Sequence, residues 1–196
     1  MASSIFQKLE QQAFRAGVAP RTEESRKWFM QKLKNMRVNR RNTLSSEELT
    51  KVTRPRIGNM YMYFYDPKTK ETLPYYDKFP LVIMVEPAKG GFYGINLHYL
   101  SPILRARLFD KLLETTNNNK YDESTKMKIR WELLKSVSRF PGVLPCYKRY
   151  LYSQIQQVPV KVSAPEWEIA VFLPTEQFVK SSKRVVWSDS KKNLRG

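Results

Sequence analysis

The chain predicts an α+β fold, a small antiparallel sheet or SH3-like barrel flanked by N-terminal amphipathic helices and a central helix pair. Three observations carry that expectation. Apolar residues recur at helical spacing up to residue 56, run continuously or alternate between 57 and 100, and return to helical spacing between 101 and 140. Hydrophobic residues fill 41% of the 196 positions and aromatic residues 13%, enough to bury a core. Seven glycines and twelve prolines punctuate the chain without forming a low-complexity linker or a repeat.

The elements follow in order. Ile5, Leu9 and Ala13, with Phe6 beside them, form the stripe of a first helix, and Gly17 offers a left-handed stop before Pro20. Thr22 caps a second helix with Glu23 and Glu24 at the positive end of its dipole and Phe29, Leu33 and Met36 on its apolar side. Ser45 followed by Glu48 reads as a capping box that opens a short third helix ending before Pro55. Residues 1–56 are therefore expected to form a basic helical arm. Met60 to Tyr65, Leu81 to Val85 and Phe92 to Leu100 read as strands, separated by turns at Asp66-Pro67 and Gly90-Gly91. Ser101-Pro102 supplies a cap and an N1 proline for a helix lined by Leu104, Leu108, Phe109, Leu112 and Leu113, and Asn117 to Asn119 end it. Its partner starts near Asp122, carries Met127, Trp131 and Leu134 on one side, and breaks at Pro141-Gly142. Cys146 to Tyr152 and Trp167 to Leu173 read as two more strands that complete the sheet from a distance, closing a core domain over 57–180. A short helix is expected from Thr175, followed by a basic tail over 181–196 that only a partner would order.

Charge says more about partners than about fold. The net charge is +17, from 35 basic and 18 acidic residues, and it is uneven: +8 over 1–56, +1 over 57–110 and +8 over 111–196. Two basic flanks surround a nearly neutral aromatic centre, the distribution expected for a polyanion partner. Arg37, Arg40, Arg41, Arg54 and Arg56 form a dense arginine set suited to bidentate phosphate contact. Lys148 and Arg149 lie among Tyr147, Tyr150 and Tyr152, an interleaving that could pair phosphates while stacking bases. No window approaches the roughly 18 to 20 apolar residues of a membrane span, and no secretory signal opens the chain, so an intracellular protein is expected.

Catalytic chemistry finds little to use. His98 is the only histidine, in strand-like surroundings, and reads as a structural residue at a sheet surface. Cys146 is the only cysteine and has Lys148 and Arg149 nearby, but lacks an oriented base. A metal-dependent nuclease would need converging carboxylates, and Asp66, Glu71, Asp77 and Glu86 with Lys89 are the only cluster in the sheet region; their spacing does not suit adjacent positions on one strand face. Lys89-Gly90-Gly91 lacks the context of a phosphate loop. No cofactor, metal site or small-molecule substrate is expected, and the chain reads as noncatalytic.

The segments Leu73 to Val82, Gly91 to Leu100, Cys146 to Leu151, Trp167 to Pro174 and Val186 to Ser190 together resemble small virion proteins of T-even-type contractile-tailed phages. Within that group the resemblance is to the DNA end protectors. It implies a protein that binds the ends of packaged double-stranded DNA and shields them from host exonuclease without catalysis, located in the virion and in the host cytoplasm during assembly. Other virion proteins are the further partners it implies. Two alternatives stay open at the level of residues: a baseplate, neck or tail component whose basic faces dock acidic subunits, and a metal-dependent nuclease using Asp66, Asp77 or Glu86.

Overall fold

The computed structural model describes residues 4–45, 49–116, 120–138 and 143–192. Its helices are α1 (Ile5–Arg15), α2 (Glu23–Leu33), α3 (Arg40–Ser45), α4 (Pro102–Thr116), α5 (Glu123–Val137), α6 (Trp167–Phe172) and α7 (Lys183–Lys192). The strands are β1 (Thr50–Lys51), β2 (Met60–Met62), β3 (Tyr76–Asp77), β4 (Leu81–Ala88), β5 (Gly91–Asn96), β6 (Tyr147–Leu151), β7 (Val160–Val162) and β8 (Phe178–Val179). Six of them form one antiparallel sheet in the order β1-β7-β2-β4-β5-β6, while β3 and β8 pair separately. The sheet is open, so the fold is the mixed α+β sheet the sequence predicts and not its barrel alternative. No helix among the described residues is long and apolar enough to cross a membrane.

Two-residue periodicity gives the sheet two different faces. Met60, Met62, Leu81, Ile83, Val85 and Ile95 point into the main core, where Phe6, Leu9 and Ala13 of α1 and Phe29 and Leu33 of α2 join them. The helices of the N-terminal third thus bury their apolar stripes in the same core as the sheet. Their starts are those the caps predict: the Thr22 and Ser25 side chains bond each other's backbone N–H, and Asp122 accepts from the Thr125 N–H. The other sheet face gathers Tyr61, Tyr63, Tyr65, Val82, Met84, Phe92 and Tyr150, and among the described residues the loop residues Val52, Ile57 and Ile155 pack on it. Phe92 stacks on Tyr150 at 5.5 Å, and Tyr63 meets the edges of both Tyr65 and Tyr150.

Several elements differ from the sequence expectation, each for a local reason. Trp167 to Phe172 is the helix α6 rather than a strand, and every one of its residues is buried, so no polar stripe betrays its period. Ser45 closes α3 instead of opening a helix, and Thr50–Lys51 pairs with β7 as a strand; 46–48 lie outside the described residues. The strand from Phe92 stops at Asn96, whose side chain accepts from the His98 N–H and starts a 3-10 turn over Leu97–Tyr99. After Thr175 the chain makes β8, and α7 then occupies most of the expected tail, with Val186 and Ser190 buried and Trp187 donating to the His98 carbonyl. The expected breaks at Asn117 to Asn119 and Pro141-Gly142 lie outside the described residues.

Hairpin β4–β5 turns at Gly90, whose φ of +72° favours glycine, with open space where a Cβ would stand. Gly91 is constrained differently, since an added Cβ would collide with the Tyr150 carbonyl oxygen across the β5–β6 ladder. Gly90→Ala should cost about 1–2 kcal/mol through backbone strain alone. Gly91→Ala should cost more, because the colliding atom is backbone and cannot rotate away. Urea-unfolding midpoints of the two variants check the order, and equal midpoints would contradict it.

Candidate nucleic-acid interface

Beyond α2 the chain runs through Lys34 and Arg37 into α3, where the Asn39 side chain accepts from the Asn42 N–H and the Asn39 carbonyl accepts from the Thr43 hydroxyl. That turn sets Arg40 and Arg41 at the head of α3. Arg40 is held by two carbonyls from the far end of the chain, its Nε donating to Thr175 O at 2.7 Å and its Nη2 to Glu176 O at 2.9 Å. A guanidinium fixed this way loses little rotamer freedom when it meets an anion.

Arg40 separates two adjoining grooves. The larger, about 950 Å³, is lined by Arg40, Arg41, Lys51 and Lys78, by the amides of Asn39, Gln156, Gln157 and Gln177, and by an apolar floor that includes Leu44 and Phe64. Among the described residues no Asp or Glu lines it. The smaller, about 550 Å³, adds Lys34, Arg37 and Lys183. Its one acidic residue, Glu176, lies 3.5 Å from the Lys183 ammonium. Burial would raise the Glu176 carboxyl, but the charges of Arg105, His98 and Lys183 outweigh it and hold the group below its ordinary range. The two grooves share Val38, Arg40 and Gln177 and together make a trough lined by seven Lys and Arg side chains.

The sequence-nominated residues divide among three places. Arg37, Arg40 and Arg41 meet at the trough. Arg54 and Arg56 are exposed on the loop whose Val52 and Ile57 cover the tyrosine face, and neither lines the trough. The pleat of β6 splits the last group. Tyr147 and Arg149 pair with Ile95 and Tyr93, while Lys148 and Tyr150 pair with Gly94 and Phe92, so the two sets face opposite sides of the sheet. Tyr147 stacks on Tyr93 at 5.4 Å and donates to Glu86. Tyr150 is only 4% exposed, stacked inside the aromatic cluster, and offers no open ring face to a base. Sequence reading missed Lys51, Lys78 and Lys183, isolated lysines on separate elements that only long-range pairing brings to Arg40.

Behind the trough lies a fully buried polar network. Asp77 accepts from the Phe79 and Gln177 N–H groups through Oδ1, and from Asn96 Nδ2 and His98 Nδ1 through Oδ2, the last at 2.6 Å. His98 Nε2 lies 3.1 Å from Thr175 Oγ1. The order Asp77, His98, Thr175 imitates a hydrolase triad, yet His98 and Thr175 have no exposed surface and Asp77 has 3%, so no substrate reaches the hydroxyl. His98 is a structural residue in the interior rather than at a sheet surface. Burial would raise the Asp77 carboxyl, but His98 and the two backbone donors outweigh it and bring it below its ordinary 3.8.

Other groups with chemical potential are occupied. Asp66 pairs with Lys70 at 2.9 Å, Glu86 with Tyr147, and Asp77 with His98, and no three His, Cys, Asp or Glu side chains among the described residues gather as a metal site. Burial pushes the Cys146 thiol up to about 12, leaving it protonated and inert at neutral pH.

Because the native Asp77 pKa lies below that of the unfolded chain, its contribution is complete above about pH 4 and is lost as pH falls through the native value. Asp77→Asn should lower stability at pH 7 by about 3 kcal/mol or more, the cost of stripping one partner from a buried pair. It should also flatten the acid limb of the stability curve. Denaturant unfolding from neutral pH down to pH 3 checks both, and a variant as acid-sensitive as the parent would refute the assignment.

The family model described as Phage T4 terminal DNA protecting protein matches residues 1–193 of the chain. No curated protein matches, and no solved structure matches.

Proposed function

Because the chain belongs to the Phage T4 terminal DNA protecting protein family, we propose that it caps the ends of packaged duplex DNA, with the trough beside Arg40 gripping the backbone next to the end. Occupancy then denies an exonuclease its substrate, and no covalent step is required. The observation that carries this reading is the larger groove, which presents Arg40, Arg41, Lys51 and Lys78 with no carboxylate in its lining among the described residues. A surface so arranged attracts polyanions and repels little of their charge. The amides of Gln156, Gln157 and Gln177 add hydrogen-bond donors for phosphate oxygens. In the same reading Arg54 and Arg56 extend the positive surface toward the tyrosine face, and Tyr147 and Tyr150 support β6 rather than touch DNA. The protein works without a cofactor, acts in the virion, contacts other virion proteins there and is assembled in the host cytoplasm.

Binding to a linear duplex should fall steeply with salt, with a log–log slope of about −0.9 per phosphate neutralised. Replacing Arg41, Lys51 and Lys78 together by Gln should make that slope shallower by about 2.7 if each holds one phosphate. Fluorescence anisotropy over roughly 50 to 200 mM salt measures it. Linear DNA should also be retarded in gels in preference to circular DNA and survive exonuclease digestion in proportion to occupancy. Equal retardation of both forms would leave general DNA binding, and retardation of neither would remove the proposal.

A further inference from the structure

A trough of arginines and lysines cannot by itself tell an end from interior duplex, because phosphodiesters run the whole length of DNA and contacts to them carry no positional information. One group belongs to an end alone: the 5′ phosphomonoester, with a charge of about −1.5 to −2 against −1 for a diester. An end-selective protein gains by reading it.

A second cleft, about 370 Å³, has the right chemistry. It opens between the turn carrying Lys68 and Thr69 and the edge strand β6, and Lys148 enters it from the face of β6 opposite Arg149 and Tyr147. The Lys148 ammonium sits 4.6 Å above the Tyr99 ring and has no carboxylate partner among the described residues. Burial lowers its pKa, as it does for an ammonium lacking an anion, and nearby Cys146 is a neutral thiol. Lys68 stands exposed at the mouth, while the Arg149 guanidinium donates to the Lys89 carbonyl. The one acidic residue of the lining, Asp77, has both oxygens committed to interior donors. Tyr75 and Tyr76, both half-buried, line the wall with aromatic surface for one ring.

We propose that this cleft receives the 5′-terminal nucleotide of a DNA strand, its phosphomonoester on Lys148 with Lys68 at the mouth and its base against Tyr75 and Tyr76. The assignment rests on the DNA-end reading above and supplies the end selectivity that the trough lacks.

Two linear duplexes of one sequence, with 5′-phosphate or 5′-hydroxyl ends, test it in anisotropy titrations with the full chain. The parent protein should prefer phosphorylated ends by about tenfold, the weight of one charge-assisted contact. Lys148→Gln should abolish the preference while binding to covalently closed circular DNA stays unchanged, and Lys148→Arg should retain most of it. Lys68→Gln, at an exposed position that leaves the fold intact, should reduce it in part. Arg41→Gln should instead weaken all DNA forms alike and keep the preference. Equal affinity of the parent for the two ends overturns this inference and leaves the trough standing, as does a preference that survives both Lys148→Gln and Lys68→Gln. Failure of the parent to bind any DNA overturns the DNA reading itself.

Discussion

One carboxylate organises this fold. Asp77 sits where a charge could not remain alone, since an isolated buried carboxylate costs many kcal/mol. It is tolerated because four donors converge on it from the loop between β3 and β4, from β5 and the turn beyond it, and from the segment before β8. Those segments are far apart in the chain, so the bonds tie the centre of the sheet to the C-terminal third. Arg105 repeats the device nearby: fully buried, it donates to the carbonyls of His98, Leu100 and Val171 and packs against the Trp187 ring.

The position of this network explains why the functional surfaces lie where they do. Gln177 takes part through its N–H and also lines the trough, and the Lys78 N–H donates to the Gln177 carbonyl. On the other side, Asn96 links Asp77 to the Tyr150 hydroxyl, and Asp77, Tyr99 and Tyr150 form part of the Lys148 cleft. Trough and cleft therefore share one rigid wall. Phe64 and Tyr65, neighbours in sequence, show the same division: the first lines the trough and the second the cleft. If the trough and the cleft act together as proposed, a wall of satisfied hydrogen bonds holds them at a fixed separation.

Much of the fold was legible because its signals are local. Ser101-Pro102, Thr22 with its acidic first turn and Asp122 announced helix starts, and the apolar run from Leu81 announced a strand buried on both faces. α6 was not legible by period, since a six-residue helix buried on all sides looks like a central strand. Its signal was chemical: the Glu166 carboxylate accepts from the Ser163 N–H and hydroxyl across a 3-10 turn over Ala164–Glu166 that contains Pro165 and leads directly into Trp167. The site was legible only in part. Arg37, Arg40 and Arg41 are close in sequence and remain close in space, whereas Lys78 and Lys183 reach the trough through strand pairings that no short window contains. Lys148 and Arg149, adjacent in sequence, are parted by the pleat of β6, because adjacent strand residues point to opposite faces.

The charge distribution takes on a different meaning once folded. A net charge of +17 repels itself, and compaction brings like charges closer than the chain requires. Arg26 relieves some of this by pairing with Asp110 at 2.6 Å, and Lys27 by pairing with Glu23 on the same helix. Around the trough no such relief is built for Arg41, Lys51 or Lys78 among the described residues, although the chain has acidic side chains to spare for pairs elsewhere. Repulsion left standing at one place on a protein that neutralises it at others is a cost a bound polyanion removes. In the proposed reading, DNA bound in the trough relieves the repulsion among Arg41, Lys51 and Lys78.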